Sequence, residues 1–160
     1  MPLLHEEHFR RVENLVHEWA RAIDENRVED ICALMRPDGR YTVQSRFNAD
    51  RGLPHALMDA HSAAQLRDRI MSMRQANIYE PQHYRHIVSG VQIVGGDAGQ
   101  LQVRSSFLVV RTLDLDGDMK VFAAGQCDDA VDVTGPEPLF RRRHFKLDSR
   151  VVETLMVIPL

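Results

Sequence analysis

The chain has 160 residues, 44% of them hydrophobic, with two cysteines and a formal net charge of −3, a length that suits one domain able to bury a core without a disulfide or a metal. The charge carries no basic excess, so the electrostatic footprint of a nucleic-acid binder is missing. No apolar run approaches the roughly 18 to 20 residues that cross a bilayer, and the start Met1-Pro2-Leu3-Leu4-His5-Glu6-Glu7 lacks the cationic-then-apolar order of an export signal; the expected compartment is the cytoplasm, with Cys32 and Cys127 as separate, reduced thiols.

Phe9, Val12, Val16, Trp19 and Ile23 recur at helical spacing with charges in the gaps, which predicts a long amphipathic helix over residues 6–25. Asn26, with Glu29 three residues on, offers the cap of a short second helix carrying Val28, Ile31, Cys32 and Met35, broken at Pro37-Asp38-Gly39. Tyr41-Thr42-Val43-Gln44-Ser45-Arg46-Phe47 reads as a strand, and residues 48–61 have the polarity of a surface loop. Ser62 and Gln65 stand in capping-box spacing, and Ala63, Leu66, Ile70 and Met73 give one apolar face, so a third helix starts there and ends near Ala76.

Beyond it the period of the apolar residues changes from helical to alternating. Strands are expected at about 84–94, 101–107, 119–132, 139–147 and 151–158, with turns at Gly95-Gly96-Asp97 and Asp116-Gly117-Asp118. Helices gathered ahead of an antiparallel sheet give an α+β class, a single domain over residues 1–160 in which a curved antiparallel sheet wraps around N-terminal helices as a half-open cone. Which strand lies beside which is not encoded in the periodicity.

Several polar clusters invite a chemical reading. In His5-Glu6-Glu7-His8 the second histidine falls one position short of a helical zinc-protease motif, since the required place holds Phe9, and near a chain end both are expected to be solvated. His83 and His86, three apart at a strand start, face opposite sides and cannot easily share an ion; His86 is expected to donate a hydrogen bond that locks the start of its strand. His55, Asp59 and His61 have the right types to hold iron but sit in a loop without a supporting shell. Neither cysteine has a second cysteine or a histidine within two residues, so the closely spaced pairs that an iron–sulfur cluster needs are absent. The phosphate loop, the dinucleotide fingerprint and the Gly-x-Ser-x-Gly elbow are absent too.

In Arg141-Arg142-Arg143-His144, alternation puts Arg141 and Arg143 on the face of Leu139, Phe145 and Leu147. An arginine there must approach the apolar side and needs a carboxylate, for which Asp128, Asp129, Asp132 and Asp148 are candidates. The run is read both as a solvated strand face and as part of an ion-pair network between subunits.

Four stretches carry a family resemblance by their order and spacing. They are Arg85-His86-Ile87-Val88-Ser89, Ser106-Phe107-Leu108-Val109-Val110-Arg111, Ala124-Gly125-Gln126-Cys127-Asp128-Asp129 and Phe140-Arg141-Arg142-Arg143-His144-Phe145-Lys146-Leu147-Asp148. Together they resemble the small (β) subunits of bacterial aromatic-ring-hydroxylating dioxygenases over nearly the whole chain. One departure is Gly90, where many relatives carry Asn. The run Arg51-Gly52-Leu53-Pro54-His55-Ala56-Leu57, with Ala76-Asn77-Ile78-Tyr79-Glu80-Pro81, resembles the anthranilate type.

The resemblance implies the cystatin-like cone shared with ketosteroid isomerase, scytalone dehydratase and nuclear transport factor. It implies a heterohexamer of three large and three small subunits, in which the large subunit carries a Rieske 2Fe–2S cluster and a mononuclear iron, with electrons from NADH through a reductase. No catalytic, cofactor or metal residue is then expected in this chain. Arg85, His86, Asp128, Asp129, Arg141, Arg142, Arg143, His144 and Asp148 are its candidate subunit-interface or structural polar residues. The rival reading is a stand-alone isomerase-like or dehydratase-like enzyme with an acid–base pair inside the cone, for which Tyr41, His86 and Asp128 are the polar candidates.

Overall fold

Helix α1 spans Pro2–Asp24 and buries Val12, Leu15, Val16, Trp19, Ala22 and Ile23 along one stripe. The structure is a computed structural model that describes residues 2–76, 78–152 and 156–160, apart from the side chains of residues 2–5. The side chain of His5, Asn77 and residues 153–155 of the last expected strand therefore lie outside the described residues. The helix stops in a Schellman turn. Asn26 takes φ 60°, its N–H donates to the Ile23 carbonyl at 3.0 Å, and Arg27 N–H reaches the Ala22 carbonyl at 2.7 Å. Asn26 thus closes the first helix instead of capping a second, because a left-handed backbone excludes the extended conformation of an N-cap. Val28–Leu34 follows as a 3-10 helix with no side-chain cap, burying Val28, Ile31 and Cys32.

Strand β1 runs Met35–Ser45, so Pro37-Asp38-Gly39 lies within a strand and does not break the chain. A register shift between Met35 and Arg40 absorbs the proline's missing donor, as a bulge does. Ser45 caps the short helix α2, Arg46–Asp50, by accepting from Asn48 N–H at 3.1 Å, and β2, Met58–Ala60, pairs antiparallel with β1. The stretch 48–61 is therefore loop only in part. Helix α3, Ala63–Gln75, starts as expected, with Ser62 Oγ accepting from Gln65 N–H at 3.1 Å. Gln65 Oε1 in turn receives His61 N–H at 2.7 Å, and Ala63, Leu66, Ile70 and Met73 are the buried face.

The long strands β3 (Gln82–Gly96), β4 (Gln100–Leu113), β5 (Met119–Asp132) and β6 (Leu139–Leu147) form an antiparallel meander. Strand β1 joins β6 in parallel, and the six-stranded order is β2-β1-β6-β5-β4-β3. The curved sheet with its N-terminal helices is the expected α+β cone. The described residues of the last expected strand, 151–152 and 156–158, are not in a strand. Met156, Ile158 and Leu160 instead bury themselves in the core. Leu160 N–H donates to Tyr41 Oη at 2.8 Å, and the Leu160 main-chain oxygen accepts from Trp19 Nε1 at 2.8 Å. Around this tail Trp19 stacks on Tyr41 at 5.7 Å and meets Phe140 edge-on at 5.5 Å, so the part of the interior around Leu160 is packed with side chains.

Candidate functional site

Sheet register sorts the polar residues into rows. Tyr41, Arg143 and Asp129 pair across β1, β6 and β5 on the inner side, and Thr42, His144, Asp128 and Arg104 form the next row on the outer side. The inner row holds a buried ion pair. Arg143 Nε and Nη2 donate to the Asp129 oxygens at 3.2 and 3.3 Å, and the Cys127 thiol donates to the same carboxylate at 3.1 Å. The guanidinium carbon lies 4.3, 4.8 and 4.9 Å from the ring centroids of Phe140, Phe145 and Trp19. Burial raises the Asp129 carboxyl above its usual range against the opposing pull of Arg143, and it pushes the Cys127 thiol well up. That thiol is a hydrogen-bond donor and not a nucleophile. The arrangement also fixes strand register, since a slip of one residue would bury an unpaired charge.

Arg141 does not share the face of Arg143. The β5–β6 pairing passes from Ala130–Arg142 to Val131–Phe140 and skips Arg141, a bulge that inverts the alternation. Phe140 consequently turns fully inward and Arg141 stays exposed. Of the four candidate carboxylates, Asp129 takes the buried arginine. Asp132 pairs with Arg36, and Asp148 lies 3.3 Å from Arg46 near the surface.

On the outer side Asp128 accepts from Lys146 Nζ at 2.5 Å and Gln126 Nε2 at 2.8 Å, with Arg104 Nε at 3.5 Å. Partial burial opposes ionisation, yet Lys146 and Gln126 hold this carboxyl below its usual range. His144 Nε2 stands 2.6 Å from Gln44 Oε1, while Gln44 Nε2 donates to the carbonyls of Leu53 and His55 at 3.1 and 3.2 Å. The amide oxygen is thus an acceptor and the imidazole donates. Partial burial, with Lys146 and Arg142 nearby, lowers the His144 pKa. Arg142 is exposed and reaches Gln102 Oε1 at 3.5 Å.

At the far edge of the sheet His86 is bonded to Asp24. Its backbone N–H donates to Asp24 Oδ2 at 2.8 Å, and its Nδ1 meets Asp24 Oδ1 at 2.6 Å. Strand β3 is an edge strand, so this carboxylate occupies an otherwise free N–H and clasps the end of α1 to the sheet. Sequence reasoning missed Asp24, because nothing local marks a partner 62 residues away. His86 Nε2 is buried without a hydrogen-bond partner, and Arg85 beside it is 69% exposed, with Nη1 4.0 Å from Asp24.

Tyr41, His86 and Asp128 are not brought together. Tyr41 bonds Leu160 inside the cone, His86 bonds Asp24 at the edge, and Asp128 bonds Lys146 on the outer face. His83 meets Asp114 at 3.0 Å, and His61 meets Asp59 at 3.3 Å. Among the described residues no group of three or more His, Cys, Asp or Glu is placed to hold a metal ion. Cys32 and Cys127 are free and buried, and no helix among the described residues is long and apolar enough to cross a membrane.

Comparison with known proteins adds to this geometry. Residues 18–154 match the family described as ring hydroxylating beta subunit. The chain is 33% identical over 138 residues to the anthranilate 1,2-dioxygenase small subunit of Burkholderia cepacia, spanning 86% of this chain and 85% of that one. It is 35% identical over 142 residues to a terephthalate 1,2-dioxygenase terminal oxygenase component, subunit beta 2, of a Comamonas species, spanning 89% and 92%. The solved β subunit assigned to an aromatic-ring-hydroxylating dioxygenase of Novosphingobium aromaticivorans superposes with a TM-score of 0.86 at 28% identity, over 94% of this chain and 95% of that one.

Proposed function

Because the chain belongs to the ring-hydroxylating β-subunit family, the small subunits of aromatic-ring-hydroxylating dioxygenases, we propose that its task is assembly, performed as one domain over residues 1–160. In this reading it joins large subunits in a heterohexamer of three large and three small chains, the small ones forming a trimer. The large subunit supplies the Rieske cluster and the mononuclear iron, and electrons arrive from NADH through a reductase in the cytoplasm. The relatives named for anthranilate and terephthalate point to an aromatic carboxylate as the ring that the whole enzyme dihydroxylates.

The observation that carries the proposal is the match of residues 18–154 to the ring hydroxylating beta subunit family. Leu160, Trp19, Tyr41 and Phe140 pack one part of the interior, and a hollow of about 280 Å³ beside Ile23, Met73, Tyr84 and Ile158 also has the exposed His83–Asp114 pair in its lining. The polar residues divide accordingly. Asp129, Arg143 and His86 hold the fold, whereas Arg85, Asp128, Arg141, Arg142, His144 and Asp148 reach the surface as contacts for neighbouring subunits. Co-expression with a large subunit tests this. The expected outcome is a stable co-purified complex whose dioxygenase activity needs both chains; full activity from the large subunit alone, with no co-purification, would remove the proposal.

A further inference from the structure

The end of α1, the 3-10 helix, the end of α3 and the start of β3 meet around the hollow of about 280 Å³. Its apolar wall is Ile23, Val28, Met73 and Ile158, all of them buried. The rim is fastened, since Asp114 N–H donates to the Pro81 carbonyl at 2.9 Å and His83 Nδ1 meets Asp114 Oδ1 at 3.0 Å. The other charged groups of the lining also have partners. Arg74 donates to the two Glu29 oxygens at 2.7 and 3.1 Å and to the side chain and carbonyl of Asn26 at 2.7 and 2.9 Å, and both Asp24 oxygens accept from His86. A neutral group is the exception. Tyr84 borders the hollow and is 2% exposed, its ring stacks on Phe122 at 5.3 Å, and its hydroxyl has no hydrogen-bond partner among the described residues. That hydroxyl is not one of the side-chain atoms sealed off without a partner, so it keeps accessible surface, and the hollow is the space it borders. Burial raises the Tyr84 phenol, with Arg111 opposing and Tyr79 adding to the rise; Tyr79 lines the same hollow, so two phenol groups lie within electrostatic reach of each other there.

We propose that this hollow binds a small uncharged molecule of the phenol class, a single ring whose hydroxyl pairs with that of Tyr84. The inference does not depend on the assembly reading above. Size limits the ligand first. A dry cavity of about 150 Å³ holds benzene, so about 280 Å³ holds one ring with one or two small substituents and falls short of the space that larger ligands fill. Charge limits it next. A carboxylate entering here would need a cation to meet it, and Arg74 already makes four hydrogen bonds to Glu29 and Asn26, while His83 is taken by Asp114. A neutral hydroxyl asks for no counter-charge. It supplies the bond that the Tyr84 phenol lacks, and a deeply buried hydroxyl left without a bond costs free energy. The apolar body of the ring then lies against Ile23, Val28, Met73 and Ile158.

The test titrates the full chain with three probes of one shape, p-cresol, toluene and p-toluate, and follows side-chain methyl signals by NMR. p-Cresol is expected to saturate with a Kd of about 0.1–1 mM and to show contacts to the methyls of Met73 and Ile158. Toluene should bind about tenfold more weakly, for want of the hydroxyl bond, and p-toluate should not bind at concentrations about ten times the p-cresol Kd. Tyr84→Phe removes a hydroxyl without a protein partner, so it should melt no lower than wild type. In that variant toluene keeps its affinity and p-cresol falls by about tenfold to the level of toluene. Absence of saturable p-cresol binding to the wild type leaves the hollow to water and overturns the proposal. So does binding of p-toluate as tight as that of p-cresol, contact with methyls away from the hollow, or full p-cresol affinity in Tyr84→Phe. The comparison of the three probes on the wild-type chain needs no variant, and stands even if Tyr84→Phe fails to fold.

Discussion

Removing the Arg143 guanidinium leaves the Asp129 carboxylate buried with the Cys127 thiol as its remaining side-chain partner. Arg143→Met is expected to cost about 3–5 kcal/mol of stability in chemical denaturation, while adding Asp129→Leu should regain most of the loss, because no lone charge then stays inside. A double variant no more stable than the single one would contradict that account. His144 lends itself to a pH experiment. Its folded pKa lies below the ordinary 6.5, so the unfolded chain takes up the proton first; this contribution is complete above about pH 6.5 and is lost as pH falls through the folded value. His144→Gln keeps a donor for Gln44 and removes the titration, and its stability should fall less steeply than wild type between about pH 7 and pH 5. The need for a carboxylate beside a core-facing arginine was legible in strand alternation. Its identity as Asp129 was not, because cross-strand register decides it, and Asp24 is placed against His86 by tertiary packing alone.

Bulges explain most of what alternation misjudged at the level of elements. The skipped Arg141 turns Phe140 inward, and the shift after Met35 lets a strand begin before Pro37, so two local signals that usually hold were overridden by pairing. The face of α3 needed no such correction, since a 3.6-residue period is a property of the segment itself, whereas Phe9 of the expected α1 stripe is exposed and Met35 of the expected second helix lies in β1. Two glycines offer a direct comparison. Gly90 has φ 60° at the shift between Ser89 and Gln92, and a Cβ there would meet nothing within 4 Å. Only backbone strain is then at stake: Gly90→Val should cost about 1–2 kcal/mol, and Gly90→Asn clearly less, because Asn tolerates the left-handed region. At Gly125 a Cβ would lie 1.9 Å from the Lys146 carbonyl, so Gly125→Ala must pry β5 from β6, at about 1–3 kcal/mol. Thermal melts of the three variants should rank Gly90→Asn as the least perturbed.

Whether the whole molecule is a pocket or a core is decided by its last described residues. Period-two alternation in the tail reads as a further strand, but inward-pointing residues of an irregular plug give the same pattern, and only the space left inside the curved sheet tells them apart. Here Met156, Ile158 and Leu160 fill that space, with Leu160 held between Trp19 and Tyr41. Trp19 is the single tryptophan and therefore reports on this closure. Leu160→Ala should cost about 2–4 kcal/mol and shift the Trp19 emission to the red, because the cavity sits against the indole and admits water to its hydrogen bond. Truncation before Met156 should go further and open the cone to an apolar dye that the intact chain excludes. Unchanged emission and no dye uptake would mean that the sheet and helices close over Trp19 without the tail, leaving the cone's closure to other contacts. The expected result ties the tail to the fold: Met156, Ile158 and Leu160 complete the core that the curved sheet and α1 leave open around Trp19.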